Sequence, residues 1–177
     1  EGTDPQIYAD QTDTYRPQND EAEESWAQLA HFIEVLNLTP EALFEKAISR
    51  VLHTDSFLRT LAVEVMTGNW DGLWNGNNYF LYLHPDDGKF RYYRYDLENS
   101  FGSLHGELNF ETRDIWKWGA DGAGSLLIER MLSVPSFQSV YAGYITRLGD
   151  KYVRPEESGP LMQRIRIQHD QISKFAE

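Results

Sequence analysis

The sequence predicts an α+β, mainly α domain in which one β-hairpin separates two acidic loops. Apolar residues recur at helical spacing on both sides of the middle of the chain. Two short aromatic runs, residues 79–84 and 89–95, flank the turn Pro85-Asp86-Asp87-Gly88, the pattern of a hairpin. The stretches on either side of that hairpin, residues 68–78 and 95–102, are crowded with Asp, Asn and Gly. With 177 residues, 41% of them hydrophobic, the chain can bury the core of one domain with little left for a second.

Taken in order, residues 1–20 carry few apolar anchors and read as an extended lead-in with at most a short strand at 6–9. A first helix is expected from Glu21 to near Asn37 on Trp26, Leu29, Ile33 and Leu36, with Glu21, Glu23 and Glu24 suited to the dipole of its first turn. Thr39 as N-cap with Pro40 at the first helical position opens a second, whose apolar face is Leu43, Phe44, Ala47, Ile48, Val51 and Leu52. Asp55 is expected to cap a third, carrying Phe57, Leu58, Leu61, Ala62, Val65 and Met66 and stopping at Gly68. After the hairpin, residues 97–123 read as an irregular loop packed by Trp116 and Trp118. Helical patterns resume at Leu126, again at Pro135, and last from about Leu161 through Ile165, Ile172 and Phe175. Both ends look abrupt, which suggests a piece of a longer protein.

Composition narrows the function. A formal charge of −12, from 28 acidic against 16 basic residues, argues against a nucleic-acid or anionic-membrane surface. No stretch approaches the roughly 20 apolar residues of a membrane span. Zero Cys excludes disulfides, thiolate metal sites and Cys nucleophiles. The five His show no metal-ligand spacing, and only His105 lies near the second acidic loop.

The order of helices, acidic loop, hairpin and acidic loop ending in Phe101-Gly102 is that of a kinase-type phosphoryl-transfer lobe. There, one Asp orients the acceptor hydroxyl, an Asn binds metal, and a second Asp beyond a hairpin holds magnesium. In this chain Asp71, one of Asn75, Asn77 and Asn78, and Asp96 occupy those places. A hydroxyl nucleophile needs a hydrogen-bond acceptor, and a hard cation wants carboxylate and amide oxygens. Taken singly, an Asp-Gly turn is mostly a turn, Trp70 and Trp74 are mostly core, and Glu98 and Asn99 read as supporting or capping groups.

The segments Asn69-Trp70-Asp71-Gly72, Asn77-Asn78-Tyr79-Phe80-Leu81-Tyr82 and Tyr95-Asp96-Leu97-Glu98-Asn99-Ser100-Phe101-Gly102, with the preceding helix from Phe57 to Val65, resemble the CotH family of spore-coat and secreted atypical protein kinases. The similarity covers roughly residues 15 to 150. It implies an atypical kinase C-terminal lobe over 21–177 and ATP-dependent phosphorylation of Ser or Thr on partner proteins in a spore coat or cell exterior. It also implies Asp71 as the catalytic residue, Asn78 and Asp96 as ligands of Mg2+, with Mn2+ or Ca2+ as substitutes. The chain departs from the pattern in three places. Asp71 and Asn78 are seven positions apart, longer than the ordinary kinase spacing. Asn99-Ser100 separates Asp96 from Phe101-Gly102, and Glu98 stands where the family often has Asp. No glycine-rich phosphate loop with its Lys lies upstream of Asp71, so this chain alone is expected to be inactive. Two other readings stay open: a calcium-stabilised extracellular adhesion module built on Asp71, Asn75, Asn77 and Asn78, and a pseudokinase-like lobe that binds partners.

Overall fold

The computed structural model describes residues 4, 6–7, 16–20, 24–101, 112–120, 125–152 and 159–173. Its elements are α1 (Trp26–Leu38), α2 (Glu41–Val51), α3 (Thr54–Thr67), β1 (Tyr79–Leu83), β2 (Phe90–Arg94), α4 (Ser125–Leu132), α5 (Pro135–Tyr152) and α6 (Pro160–Ile172). This is the mainly helical α+β arrangement the periodicities predict, with one antiparallel two-stranded sheet.

Helix α3 forms the axis because its apolar residues cover more than one face. Phe57, Leu58, Leu61 and Ala62 are fully buried, and the helix packs along α5 and against β2. The hairpin pairs Tyr79 with Arg94 and Leu83 with Phe90, so the ends of both strands nearest the acidic loops lie side by side. Period-2 alternation sends Phe90 and Tyr92 into the core, where they meet Phe32 at 5.5 Å and Phe57 at 5.7 Å between ring centres. The opposite face leaves Phe80, Tyr82, Tyr93 and Tyr95 exposed. Helix α6 buries none of its residues, and among the described residues no helix is long and apolar enough to cross a membrane.

Several local expectations are corrected. The backbone at Gln6 and Ile7 is helical, with the Gln6 amide donating to Asp4 Oδ1, and is not a strand. Helix α1 begins at Trp26 with no acidic residue in its first turn, so Glu24 precedes the helix; Glu21 and Glu23 lie outside the described residues. Pro40, not Thr39, is the N-cap of α2, and Leu43 turns to solvent. His53 rather than Asp55 caps α3: its Nδ1 accepts from the Ser56 amide at 3.3 Å, while Asp55 sits in the first turn and accepts from the Tyr144 hydroxyl at 2.7 Å. A residue-type rule cannot choose between neighbouring cap candidates when a tertiary partner claims one of them. Residues 112–120 form turns packed by aromatics as expected, with Trp118 against Trp74 at 5.1 Å and Trp116 against Tyr141 at 5.5 Å. His105 and Phe175 lie outside the described residues.

The core assignment makes a direct prediction. Phe57→Ala should cost about 3–5 kcal/mol in denaturant unfolding, whereas Leu43→Ala, on the apolar stripe of α2 in sequence but exposed, should stay within about 0.5 kcal/mol of the parent.

Candidate functional site

The first acidic loop begins where α3 ends. Gly68 takes the left-handed conformation (φ 61°), and the Asn69 amide reaches back to the Glu64 carbonyl at 2.9 Å, closing the helix with a tight reversal. Leu73 and Trp74 then plug into the core, and Trp74 lies between Trp118 and the Arg113 guanidinium, 3.7 Å over its ring. With these anchors buried, the Asp71 side chain is held at the head of the loop.

Four amides converge on that carboxylate. Asn75 Nδ2 (2.9 Å) and Asn77 Nδ2 (3.4 Å) donate to Oδ1, and Asn78 Nδ2 (2.9 Å) and Asn99 Nδ2 (2.9 Å) donate to Oδ2. A carboxylate only accepts, so each Asn must present nitrogen to it and has its carbonyl oxygen for other partners. Burial works against the charge of Asp71, but the amides of Asn75, Asn99 and Asn77 and the charge of Arg94 outweigh it and hold the carboxyl below its ordinary value.

The second acidic loop is tied to the first. The Phe101 amide donates to the Thr67 carbonyl at 2.6 Å, and Asn69 Nδ2 donates to Ser100 Oγ at 3.0 Å. Asn99 Nδ2 also donates to Glu98 Oε1 at 2.9 Å. The Asp96 and Glu98 carboxyls lie within reach of each other, and a proton shared between them is the chief reason the Glu98 carboxyl is raised. Asp71, Asn78, Asn99, Glu98 and Asp96 therefore form one connected cluster at the open end of the hairpin. Asn78, Asp96 and Phe101 all hold positive φ (50°, 56° and 56°), a conformation that costs non-glycine residues energy and gathers at functional sites.

All three residues singled out from sequence thus belong to this cluster: Asn78 touches Asp71 directly, and Asp96 joins through Glu98 and Asn99. Among the Asn candidates, Asn78 is the buried one and lies against the hairpin, while Asn75 and Asn77 are exposed. Asn99, read from sequence as a supporting or capping group, donates to the Asp71 carboxylate, and sequence reasoning passed over Arg94 and Glu64. Arg94, its side chain 5% exposed, sets Nε against Glu64 Oε1, donates from Nη2 to Asn69 Oδ1 (2.7 Å) and the Asp71 carbonyl (3.2 Å), and from Nη1 to the carbonyls of Asn77 (3.2 Å) and Asn78. Two Arg residues, Arg91 and Arg94, inside an aromatic strand were the only available signal.

The oxygens on offer suit a hard cation. Asp96 and Glu98 bring two carboxylates into contact, and the buried Asn99 Oδ1 has no hydrogen-bond partner. Among the described residues no three His, Asp or Glu side chains gather as a ready-made cage. Two carboxylates with amide oxygens match the sparse protein shell of a magnesium ion that also binds phosphates.

Glu64, 3% exposed, accepts from the Tyr92 hydroxyl at 2.7 Å. Burial pushes its carboxyl from 4.5 up to about 7, against the pull of Arg94 and Tyr92. Between those values the folded chain keeps a proton that the unfolded chain has lost. The stability Glu64 contributes is therefore full below pH 4.5 and is lost as pH rises through about 7. The stability of the parent minus that of Glu64→Gln should fall by about 3 kcal/mol across this window, and carboxyl-carbon NMR should find one Glu titrating near 7. Glu resonances confined to the ordinary range would refute the burial argument.

Comparison with known proteins agrees with the motif reading. The profile of the family described as CotH kinase protein matches residues 3–177. The chain is 30% identical over 103 residues to the protein named Invasin CotH7 of Rhizopus delemar, covering 56% of this chain and 17% of that one. It is 29% identical over 103 residues to Spore coat protein homolog 1 of the same fungus, with the same coverage of 56% and 17%. It is also 34% identical over 86 residues to Inner spore coat protein H of Bacillus subtilis, covering 48% of this chain and 23% of that protein. The matched segments span less than a quarter of the length of these relatives. With the family profile running over nearly its whole length, the chain belongs to the CotH family.

Proposed function

We propose that this chain is the catalytic and metal-holding, C-terminal-lobe part of a protein kinase that transfers the γ-phosphoryl group of ATP to a Ser or Thr hydroxyl of a coat or surface protein. The observation that carries the reading is the single cluster in which an amide-ringed carboxylate, Asp71, is joined through Asn99 and Glu98 to Asp96. Asp71 is held anionic and is fitted to accept a hydrogen bond from the acceptor hydroxyl. The weakest of its present bonds, from the exposed Asn77 at 3.4 Å, is the one a hydroxyl would replace. As the hydroxyl oxygen bonds to the γ-phosphorus and the bond to the β-phosphate oxygen breaks, the hydroxyl proton passes to Asp71 and ADP leaves. Asp96 and Asn78 would hold Mg2+, with the Asn99 oxygen and Glu98 beside them; Mn2+ or Ca2+ fits the same donors. The ion, when bound, neutralises charge on the phosphates.

The names of the relatives, two spore coat proteins and an invasin, support a coat or surface setting. The calcium-loop alternative is not better supported, because Asn75, Asn77 and Asn78 donate nitrogen to the Asp71 carboxylate with which they would have to share the ion.

The test belongs in the full-length protein, supplied with ATP and Mg2+. Asp96→Ala should abolish phosphate incorporation, and Asp71→Ala should reduce it at least about a hundredfold, both with circular dichroism unchanged. Undiminished incorporation in both variants would overturn the assignment. A parent protein that binds its partners but incorporates no phosphate would favour the pseudokinase-like reading.

A further inference from the structure

The geometry points to Arg94 as a positioning residue that sets the cation-binding arrangement of both acidic loops, an inference that rests on the reading of Asp96 and Asn78 as cation ligands. Arg94 is the last residue of β2, two positions before Asp96, so whatever fixes it fixes the start of the second loop. Its guanidinium simultaneously holds the Asn69 side chain and the carbonyls of Asp71, Asn77 and Asn78, the backbone on both sides of the first loop. The fork thereby determines where the Asn78 amide sits relative to Asp96, although its hydrogen bonds go to the Asn69 side chain and to backbone carbonyls and not to the Asp71 or Asp96 carboxylate. A planar fork with five donors can make these bonds together; an ammonium, with three donors on a flexible stem, can keep the Glu64 contact but not the rest.

The first loop is shaped to admit that fork. A Cβ added at Gly72 would stand 2.7 Å from Arg94 Cζ and 2.8 Å from Nη2, so any side chain at 72 must push the guanidinium aside. This second position acts on Arg94 without altering its charge or its own backbone.

The experiment is calorimetric titration of the 177-residue chain with Mn2+ alone, alongside denaturant unfolding of each variant. Arg94→Lys and Gly72→Ala should each weaken Mn2+ binding about ten- to a hundredfold, the usual loss when a group supporting a metal ligand is removed. A ligand-positioning role demands that affinity fall in protein that is folded. If Arg94→Lys fails to fold, Gly72→Ala decides the outcome. Folded variants that bind Mn2+ as the parent does would overturn the role of Arg94 while leaving the cation site standing. Affinity lost only in proportion to the unfolded fraction would likewise overturn it. A parent chain that binds no Mn2+ while folded would overturn the cation site and, with it, this inference.

Discussion

The buried contact between Arg94 and Glu64 joins three parts of the chain that are far apart in sequence: the last turns of α3, the Asp71 loop and the exit of β2. The Arg94 charge cannot be left without a partner in that interior, since removing the group that faces a buried charge costs about 3–5 kcal/mol. The pairing therefore constrains how the hairpin docks on the helix. Tyr92, two residues earlier on the same strand face, reinforces the register by donating to Glu64 and packing on Phe57. A slip of one residue would turn Phe90 and Tyr92 outward, bury Tyr93 and carry Arg94 away from Glu64, so apolar packing and the Arg94–Glu64 contact favour the same register.

From that docking the site follows. The hairpin's open end delivers Asn78 on one strand and Asp96 on the other, while the end of α3 delivers Asn69 and then Asp71. Left-handed backbone at Asn78 and Asp96 turns the chain sharply at both junctions. Asn and Asp tolerate that conformation better than most residues; Phe101, which shares it, does not, and the hydrogen bond its amide donates to the Thr67 carbonyl helps to keep it there. Backbone strain and packing together place polar side chains where the sheet has no further strand to offer.

What the sequence made legible was local. Helical periodicity located α1 to α6, the Asp-Gly turn located the hairpin, and Gly68 marked the end of α3. The pairing of Asp71 with Asp96 across the hairpin could be inferred because antiparallel strands must return their ends to one place. The contacts that complete the site were not legible, because they span long separations: Asn99 to Asp71 is 28 residues, and Arg94 to Asn69 is 25. No periodicity reports which polar residue of a loop points inward. Trp74 was read as core and is core, and Asn99, read as a supporting or capping group, donates to the Asp71 carboxylate.

The central claim is that the two acidic loops make one oxygen-lined cation site. It is tested most directly by anomalous diffraction from crystals of the chain grown with Mn2+ and a non-hydrolysable ATP analogue. The account predicts an anomalous peak within about 2.5 Å of an Asp96 carboxylate oxygen and the Asn78 side-chain oxygen. A peak ligated by other residues, or ordered loops with no peak between them, would contradict it.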